Sequence, residues 1–304
     1  MSKKTPAFPA SIKYYIADSR HAGSFLSPKS VDLIMTGPPY WNEVEYSRDD
    51  SQLSAIPDYP AFLEKINKVW QECAQILKGG GFLIMWLHDL YRQDKDGSFN
   101  YIPLHADIVK NMPPELIYRN LLVWDRYLRK DRGDMKSGGA RFQFILIFQK
   151  TGGSSNNYRE ILRQFYWDPV WSLKTHPKIL NSRLIFRFLF GLSKILPKQL
   201  INPLKPLMDK TGLIKDEHIF SHYSTECPPE VAERFIGLFS RKGDTVLDPF
   251  AGSGTTLYAA SRLGRNAIGF DINEAAPLAM LRKYPQIKKD ICDIINDTKC
   301  QRHK

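Results

Sequence analysis

The chain has 304 residues, 43% hydrophobic and 25% charged, with 43 Lys and Arg against 32 Asp and Glu and a formal charge of +11. That length and apolar fraction supply a core for one large domain or two modest ones, and they exclude wholesale disorder. The start, MSKKTPAFPA, has no apolar signal core, and no apolar stretch approaches the ~18–20 residues of a membrane span. Cys73, Cys227, Cys292 and Cys300 show no CxxC spacing, which argues against zinc or a disulfide framework and predicts a cytoplasmic protein. The charge excess fits a polyanionic partner or merely a basic soluble protein.

In chain order, the first predicted strand is 12–17, ending at Asp18. A second, 31–35, runs into Thr36-Gly37-Pro38-Pro39-Tyr40-Trp41. Two prolines fix φ and remove two N–H donors, so carbonyls are the backbone groups on offer. A rigid, acceptor-rich turn followed by aromatic rings suits a planar substrate with an amino group, or it is a plain rigid turn. Residues 59–77 place Phe62, Ile66, Val69, Trp70, Cys73 and Leu77 at helical spacing, with the glycines at 79–81 expected to end the helix. Strands follow at 82–87, 120–124 and 142–148. No helix separates the last two, which predicts an antiparallel pair. Their link holds Arg126, Arg129, Lys130, Arg132, Lys136 and Arg141 against Asp131 and Asp134. It is either a mobile surface loop or a flap that contacts phosphates.

Residues 151–157 are a Gly/Ser/Asn link. From Pro169 to Met208 there is no acid, but Lys174, Lys178, Arg183, Arg187, Lys194, Lys198 and Lys205 are present. This amphipathic stretch is a solvated helix face, a nucleic-acid surface or a membrane-associated segment. A helix over 229–239 then precedes a strand at 245–248, a glycine turn, a helix at 256–263 and a strand at 267–270. Strand and helix alternating in this way predict a mostly parallel sheet covered on both faces.

The turn after that strand reads Asp248-Pro-Phe250-Ala-Gly252-Ser-Gly254-Thr255-Thr256, with Asp271 at the end of the next strand. Gly252 and Gly254 allow close backbone approach, and an acid about 20 residues beyond such a turn binds ribose hydroxyls. A phosphate loop needs GxxxxGK[ST], and no Lys is present. A dinucleotide loop needs a third glycine where Leu257 stands. S-adenosylmethionine has the ribose and no phosphate, and it fits best; an ordinary glycine-rich turn is the alternative.

Together the two loops resemble the amino-group DNA methyltransferases, marked by a [DNS]-P-P-[YFW] motif and an F-x-G-x-G loop. Catalytic motif first and cofactor loop last resembles the family's circularly permuted β group. Asp18 sits where the family has an acid for the cofactor adenine, Leu77-Lys-Gly-Gly-Gly81 resembles its LKPGG turn, and His222 with Pro228-Pro229-Glu230 loosely resembles a further cofactor element. The resemblance implies a Rossmann-like α/β fold with a mostly parallel seven-stranded sheet and an antiparallel edge pair. It implies a catalytic part over 1–150, a basic target-recognition insert over 151–221 and a cofactor part over 222–304. S-adenosylmethionine is then held by Asp18, Asp248, Phe250, Gly252, Gly254, Thr255 and Asp271, and no metal is needed. The partner is double-stranded DNA, touched by Trp41 and by the basic residues of the 126–141 link and of 174–187; a cognate restriction endonuclease acts separately in such systems. The catalytic set is Thr36, Gly37, Pro38, Pro39 and Tyr40.

Two positions depart from the pattern. Gly37 replaces the side chain that accepts from the target amine, leaving Thr36, a water or another group to substitute. Gln143 stands where many relatives have Glu. The flanks Thr36 and Tyr40-Trp41-Asn42 resemble enzymes acting on N4 of cytosine more than those acting on N6 of adenine. Methylation at cytosine carbon 5 needs a cysteine nucleophile, and none lies near either loop in sequence. Rival readings are a DNA-binding protein on a decayed scaffold, a methyltransferase for RNA or protein, and a nicotinamide enzyme.

Overall fold

The computed structural model describes residues 10–42, 52–93, 97, 99–125, 142–153, 170–172 and 227–296. Eleven strands are present among them: β1 (Ile12–Ile16), β2 (Val31–Thr36), β3 (Leu77–Leu87), β4 (Leu90–Gln93), β5 (Phe99–Ile102), β6 (Leu116–Asp125), β7 (Phe142–Lys150), β8 (Val170–Ser172), β9 (Thr245–Asp248), β10 (Asn266–Asp271) and β11 (Ile291–Asn296). The α-helices are α1 (Tyr59–Ile76), α2 (Leu104–Asn111), α3 (Pro229–Phe239), α4 (Thr255–Arg262) and α5 (Ala276–Lys283).

Nine strands form one sheet in the order β11-β1-β10-β9-β2-β3-β7-β6-β8. The seven strands expected from sequence occupy its unbroken centre, and β11 and β8 extend the two edges. From β11 to β3 all pairings are parallel; β7 runs antiparallel to both β3 and β6. The C-terminal strands β9 and β10 thus lie between β1 and β2. At the far edge β8, which falls inside the expected insert, pairs in parallel with β6.

Side-chain alternation builds the two layers. On β3, Phe82, Ile84 and Trp86 pack toward Phe235, Ile236 and Phe239 of α3 and Leu257 of α4. Leu83, Met85 and Leu87 join the opposite core, with Phe62, Ile66, Val69 and Trp70 of α1 and Ile108 of α2. Strands covered on both faces have no polar side to show, which is why these runs are continuously apolar. Helix α1 starts where the Asp58 carboxylate accepts the Ala61 N–H at 3.0 Å.

One expectation fails here. The glycines at 79–81 do not end α1, which stops at Ile76, with extended backbone already at Leu77. They belong to β3, where a Cβ on Gly81 would lie 2.7 Å from the Asp32 carbonyl oxygen of β2. Glycine serves strand approach here. Among the described residues, no helix is long and apolar enough to cross a membrane.

Candidate functional site

At the C-terminal ends of β1, β2, β9 and β10 the chain leaves a cavity of about 510 Å³. This is where open α/β sheets bind ligands, and the volume suits a small molecule of nucleoside size. The wall holds Asp18, Gly37 to Tyr40, Asp248, Phe250, Gly252, Thr255 and Asp271, so both sequence loops face one space.

The cofactor side is built from backbone and acids. Gly254 caps α4 at φ +77, a left-handed conformation that glycine adopts without strain. Asp271 Oδ2 accepts the Gly252 N–H at 2.9 Å, and its Oδ1 accepts the Asn273 N–H at 2.8 Å. Burial raises the Asp271 pKa, and these backbone donors partly offset it. The Tyr14 hydroxyl donates to the Gly252 carbonyl at 2.9 Å. The close helix–strand approach that a dinucleotide loop gains from its third glycine is supplied from the other side. A Cβ on Gly269 of β10 would lie 2.8 Å from Leu257 Cδ2.

Asp248 is wholly buried, and burial pushes its pKa up to about 6; donors from Thr36, Thr256 and the Phe250 N–H pull it down, and the nearby Asp271 raises it further. Thr36 Oγ1 donates to Asp248 Oδ1 at 2.6 Å. Thr36 is fully buried and absent from the cavity wall. Its hydroxyl ties β2 to β9. Asp18 lines the cavity but is already engaged, accepting the Arg20 backbone N–H at 2.9 Å and the Arg20 Nε–H at 2.7 Å. Among the described residues, Arg20 is the one Lys or Arg on the wall, against three acids. That balance suits a cation carrying a ribose and disfavours a diphosphate.

On the substrate side, Tyr40 is nearly buried and stacks on His88, centroids 4.1 Å apart at 22°. Trp41 does not line the cavity. Its Nε1 donates to the Ile56 carbonyl at 2.7 Å and its ring tilts on Tyr59 in the core. Gln143 is fully buried, with no hydrogen bond to either amide atom among the described residues. A Glu there would place an uncompensated charge in the core. The basic sets Arg126, Arg129, Lys130, Arg132, Lys136, Arg141 and Lys174, Lys178, Arg183, Arg187, together with His222, lie outside the described residues.

Several wall residues escaped sequence reasoning: Trp86, the Gln52–Ser54 turn and Cys227. Cys227 corrects one expectation. It is remote from both loops in the chain, yet the fold brings it to the cavity, where its thiol faces the Pro228 carbonyl at 3.6 Å. Distance in sequence was a poor reason to exclude carbon-5 chemistry.

The sheet, the glycine turn on α4 and the acids at the ends of β9 and β10 define an S-adenosylmethionine-dependent methyltransferase. The comparisons with known proteins go further. The protein TTHA0409 of Thermus thermophilus, assigned as a DNA modification methylase and solved with S-adenosyl-L-methionine, is 27% identical, with TM-score 0.59 over 94% of this chain and 98% of that one. The PvuII cytosine-N4-specific DNA methyltransferase shares the fold, with TM-score 0.57 at 15% identity over 96% of this chain and 98% of that one. Type II methyltransferase M.MjaI of Methanocaldococcus jannaschii is 24% identical over 82% of this chain and 84% of its own length. M1.MboII of Moraxella bovis is 28% identical over 81% and 85%. The N6_N4_Mtase family of DNA methylases matches residues 31–279, and the chain belongs to it. Membership in this amino-group family, and not the placement of cysteines, is what sets carbon-5 chemistry aside.

Proposed function

We propose that the chain transfers a methyl group from S-adenosylmethionine to the exocyclic N4 of a cytosine flipped out of double-stranded DNA. The observation that carries this reading is one cavity lined both by Pro38-Pro39-Tyr40 and by Asp248 and Asp271. The flanks Thr36 and Tyr40-Trp41 favour cytosine N4; N6 of adenine is the alternative target.

When bound, S-adenosylmethionine supplies a methyl group activated by its sulfonium charge. Asp271 accepts backbone donors from Gly252, Ile272 and Asn273 and keeps a lone pair for a ribose hydroxyl, and Asp248 and Asp271 together offset a positive ligand. The Pro38 carbonyl accepts a hydrogen bond from the target amine. Such acceptors draw the amine toward tetrahedral geometry and free its lone pair, so they act chiefly in the transition state. Holding amine and methyl in line contributes roughly 7–11 kcal/mol. Flipping the base costs a few kcal/mol. Stacking on Tyr40, worth about 1–3 kcal/mol, offsets much of it.

The basic residues of 126–141 and 174–187 neutralise DNA phosphates in this reading. With about six phosphates neutralised, affinity falls roughly 10³-fold or more between 50 and 200 mM salt. A nearly flat salt response would remove this footprint. The deciding experiment is to express the protein in a methylation-free host and map modified bases in genomic DNA. N4-methylcytosine at one short sequence is the expected product. N6-methyladenine would move the target to adenine, and no modified base would favour the decayed scaffold.

A further inference from the structure

Gly37 removes the acceptor that this family places against the target amine, and the structure shows what fills its room. Parallel pairing sets Thr36 of β2 opposite Met85 of β3, so residue 37 lies beside Trp86. A Cβ added at Gly37 would lie 2.6 Å from Trp86 Nε1 and 2.7 Å from its Cε2. The pyrrole edge of the indole therefore occupies the place of a side chain at position 37. Trp86 is only 7% exposed, held between neighbours on β2 and β7, and it lines the cavity. Among the described residues its Nε1–H has no hydrogen-bond partner. Unlike the Trp70 Nε1, this nitrogen is not among the buried unpartnered atoms, so it is a donor open to whatever enters the cavity that Trp86 lines.

The exchange reverses polarity. Asp, Asn or Ser accepts, whereas an indole N–H only donates. It cannot take a proton from the amine. The acceptor next to that amine on the same base edge is a ring nitrogen, N3 in cytosine and N1 in adenine. We propose that Trp86 is a base-binding, specificity-determining residue whose Nε1–H donates to this ring nitrogen. The proposal rests on the amino-group methyltransferase reading above. Thymine and uracil carry N3–H at this edge, so two donors would oppose each other and the base would be refused.

The chemistry also fixes where the contact acts. The ring nitrogen is richest in electrons while the amine lone pair delocalises into the ring. As the methyl group arrives, that lone pair leaves the ring and the nitrogen becomes a weaker acceptor. The bond is stronger in the ground state, so losing it raises KM and does not lower kcat. Activation of the amine is left to the Pro38 carbonyl.

The test compares target cytosine with 3-deazacytosine, which has C–H in place of N3, and adenine with 1-deazaadenine. Each is placed opposite an abasic site in a recognition sequence selected by binding from random duplex DNA. Equilibrium binding and initial rates are measured for the wild type and Trp86→Phe. The wild type should bind the natural base about tenfold more tightly than its deaza analogue, as expected for a deleted hydrogen-bond partner. Trp86→Phe should bind both alike, with KM for the natural base raised about tenfold and kcat not lowered. Equal binding of both bases by the wild type, or an undiminished preference in Trp86→Phe, overturns the proposal. Should Trp86→Phe fail to fold, a benzothiophene analogue at position 86, with sulfur in place of N–H, gives the same comparison. If no methyl group is transferred, the amino-group reading fails, while the binding comparison still decides on Trp86. The cytosine and adenine pairs show which target base is held.

Discussion

The two ends of the cavity are built on different plans. At the cofactor end, Asp271 is held by backbone donors within a short reach of chain, those of Gly252 and Asn273. At the substrate end, the decisive contacts cross between strands. Trp86 fills the space over Gly37, His88 stacks on Tyr40, and Thr36 reaches Asp248. A locally wired site keeps its motif because its own backbone sets the requirement. A site completed by remote residues can change a motif position, provided the neighbour changes with it. Gly37 and Trp86 meet in this way, since a Cβ at position 37 would lie 2.6 Å from Trp86 Nε1.

The contrast can be broken or sharpened by mutation. The largest effect is expected at Tyr40. Tyr40→Ala should lower methyl transfer by about 100-fold or more, since stacking is worth roughly 1–3 kcal/mol and the ring also fills the core. Cofactor affinity, measured by calorimetry, should stay within about threefold. Full activity in Tyr40→Ala would sink the substrate assignment. At the other end, Asp271→Ala should weaken cofactor binding by about 10- to 100-fold while DNA binding is retained; unchanged cofactor affinity would remove Asp271 from the site.

A smaller effect tests the pairing itself. Gly37→Ser restores the family side chain but drives it into the indole, and overpacking of this kind costs about 1–3 kcal/mol. Activity should drop by about tenfold or more. Gly37→Ser combined with Trp86→Leu should recover part of it. A double variant no better than the single would show that the two positions are uncoupled.

The smallest effect is in pH. The Asp248 pKa stands at about 6, above its ordinary value, because burial penalises the charged form. Protonation removes a negative charge from beside a cationic ligand. Cofactor affinity should therefore fall as pH drops below 6, by up to about tenfold per unit, and Asp248→Asn should flatten the profile. The sign for stability of the ligand-free protein is opposite. A carboxyl whose folded pKa is raised binds its proton more tightly when folded. Its contribution is present below the unfolded pKa near 4 and is lost as pH rises through 6. Urea midpoints of wild type minus Asp248→Asn should show this decline across that window.

Much of the fold was legible because the central strands are buried on both faces and read as unbroken apolar runs. The edges were not. In β11, Cys292 to Asn296 are exposed, so no apolar pattern marks a strand. The β4–β5 hairpin is four residues a side and holds together through Asp89, which accepts from Tyr101 and pairs with His105 at 2.7 Å. None of these leaves a period to read. The glycines at 79–81 misled because a helix cap and a tight strand approach both call for a missing Cβ. Trp41 was ambiguous because aromatic residues after Pro-Pro suit a core as well as a base. In the site, Gly37 to Tyr40 and the Asp248–Gly252 turn share one wall, whereas Trp86 was invisible because only pairing across the sheet brings it there, and Cys227 because it arrives with the start of α3.

The strand order has a consequence for how the molecule is made. β1 and β2 are synthesised first, yet neither pairs with the other. Between them must come β9 and β10, from the far end of the chain. The emerging first half therefore carries two apolar strands with open edges until the last part of the chain is released. Folding of the central sheet cannot keep pace with translation; it awaits a late, long-range closure. Such a topology is slow and exposes strand edges to wrong partners in the meantime. Truncation near the C-terminus should then cost the whole sheet, not only the cofactor loop.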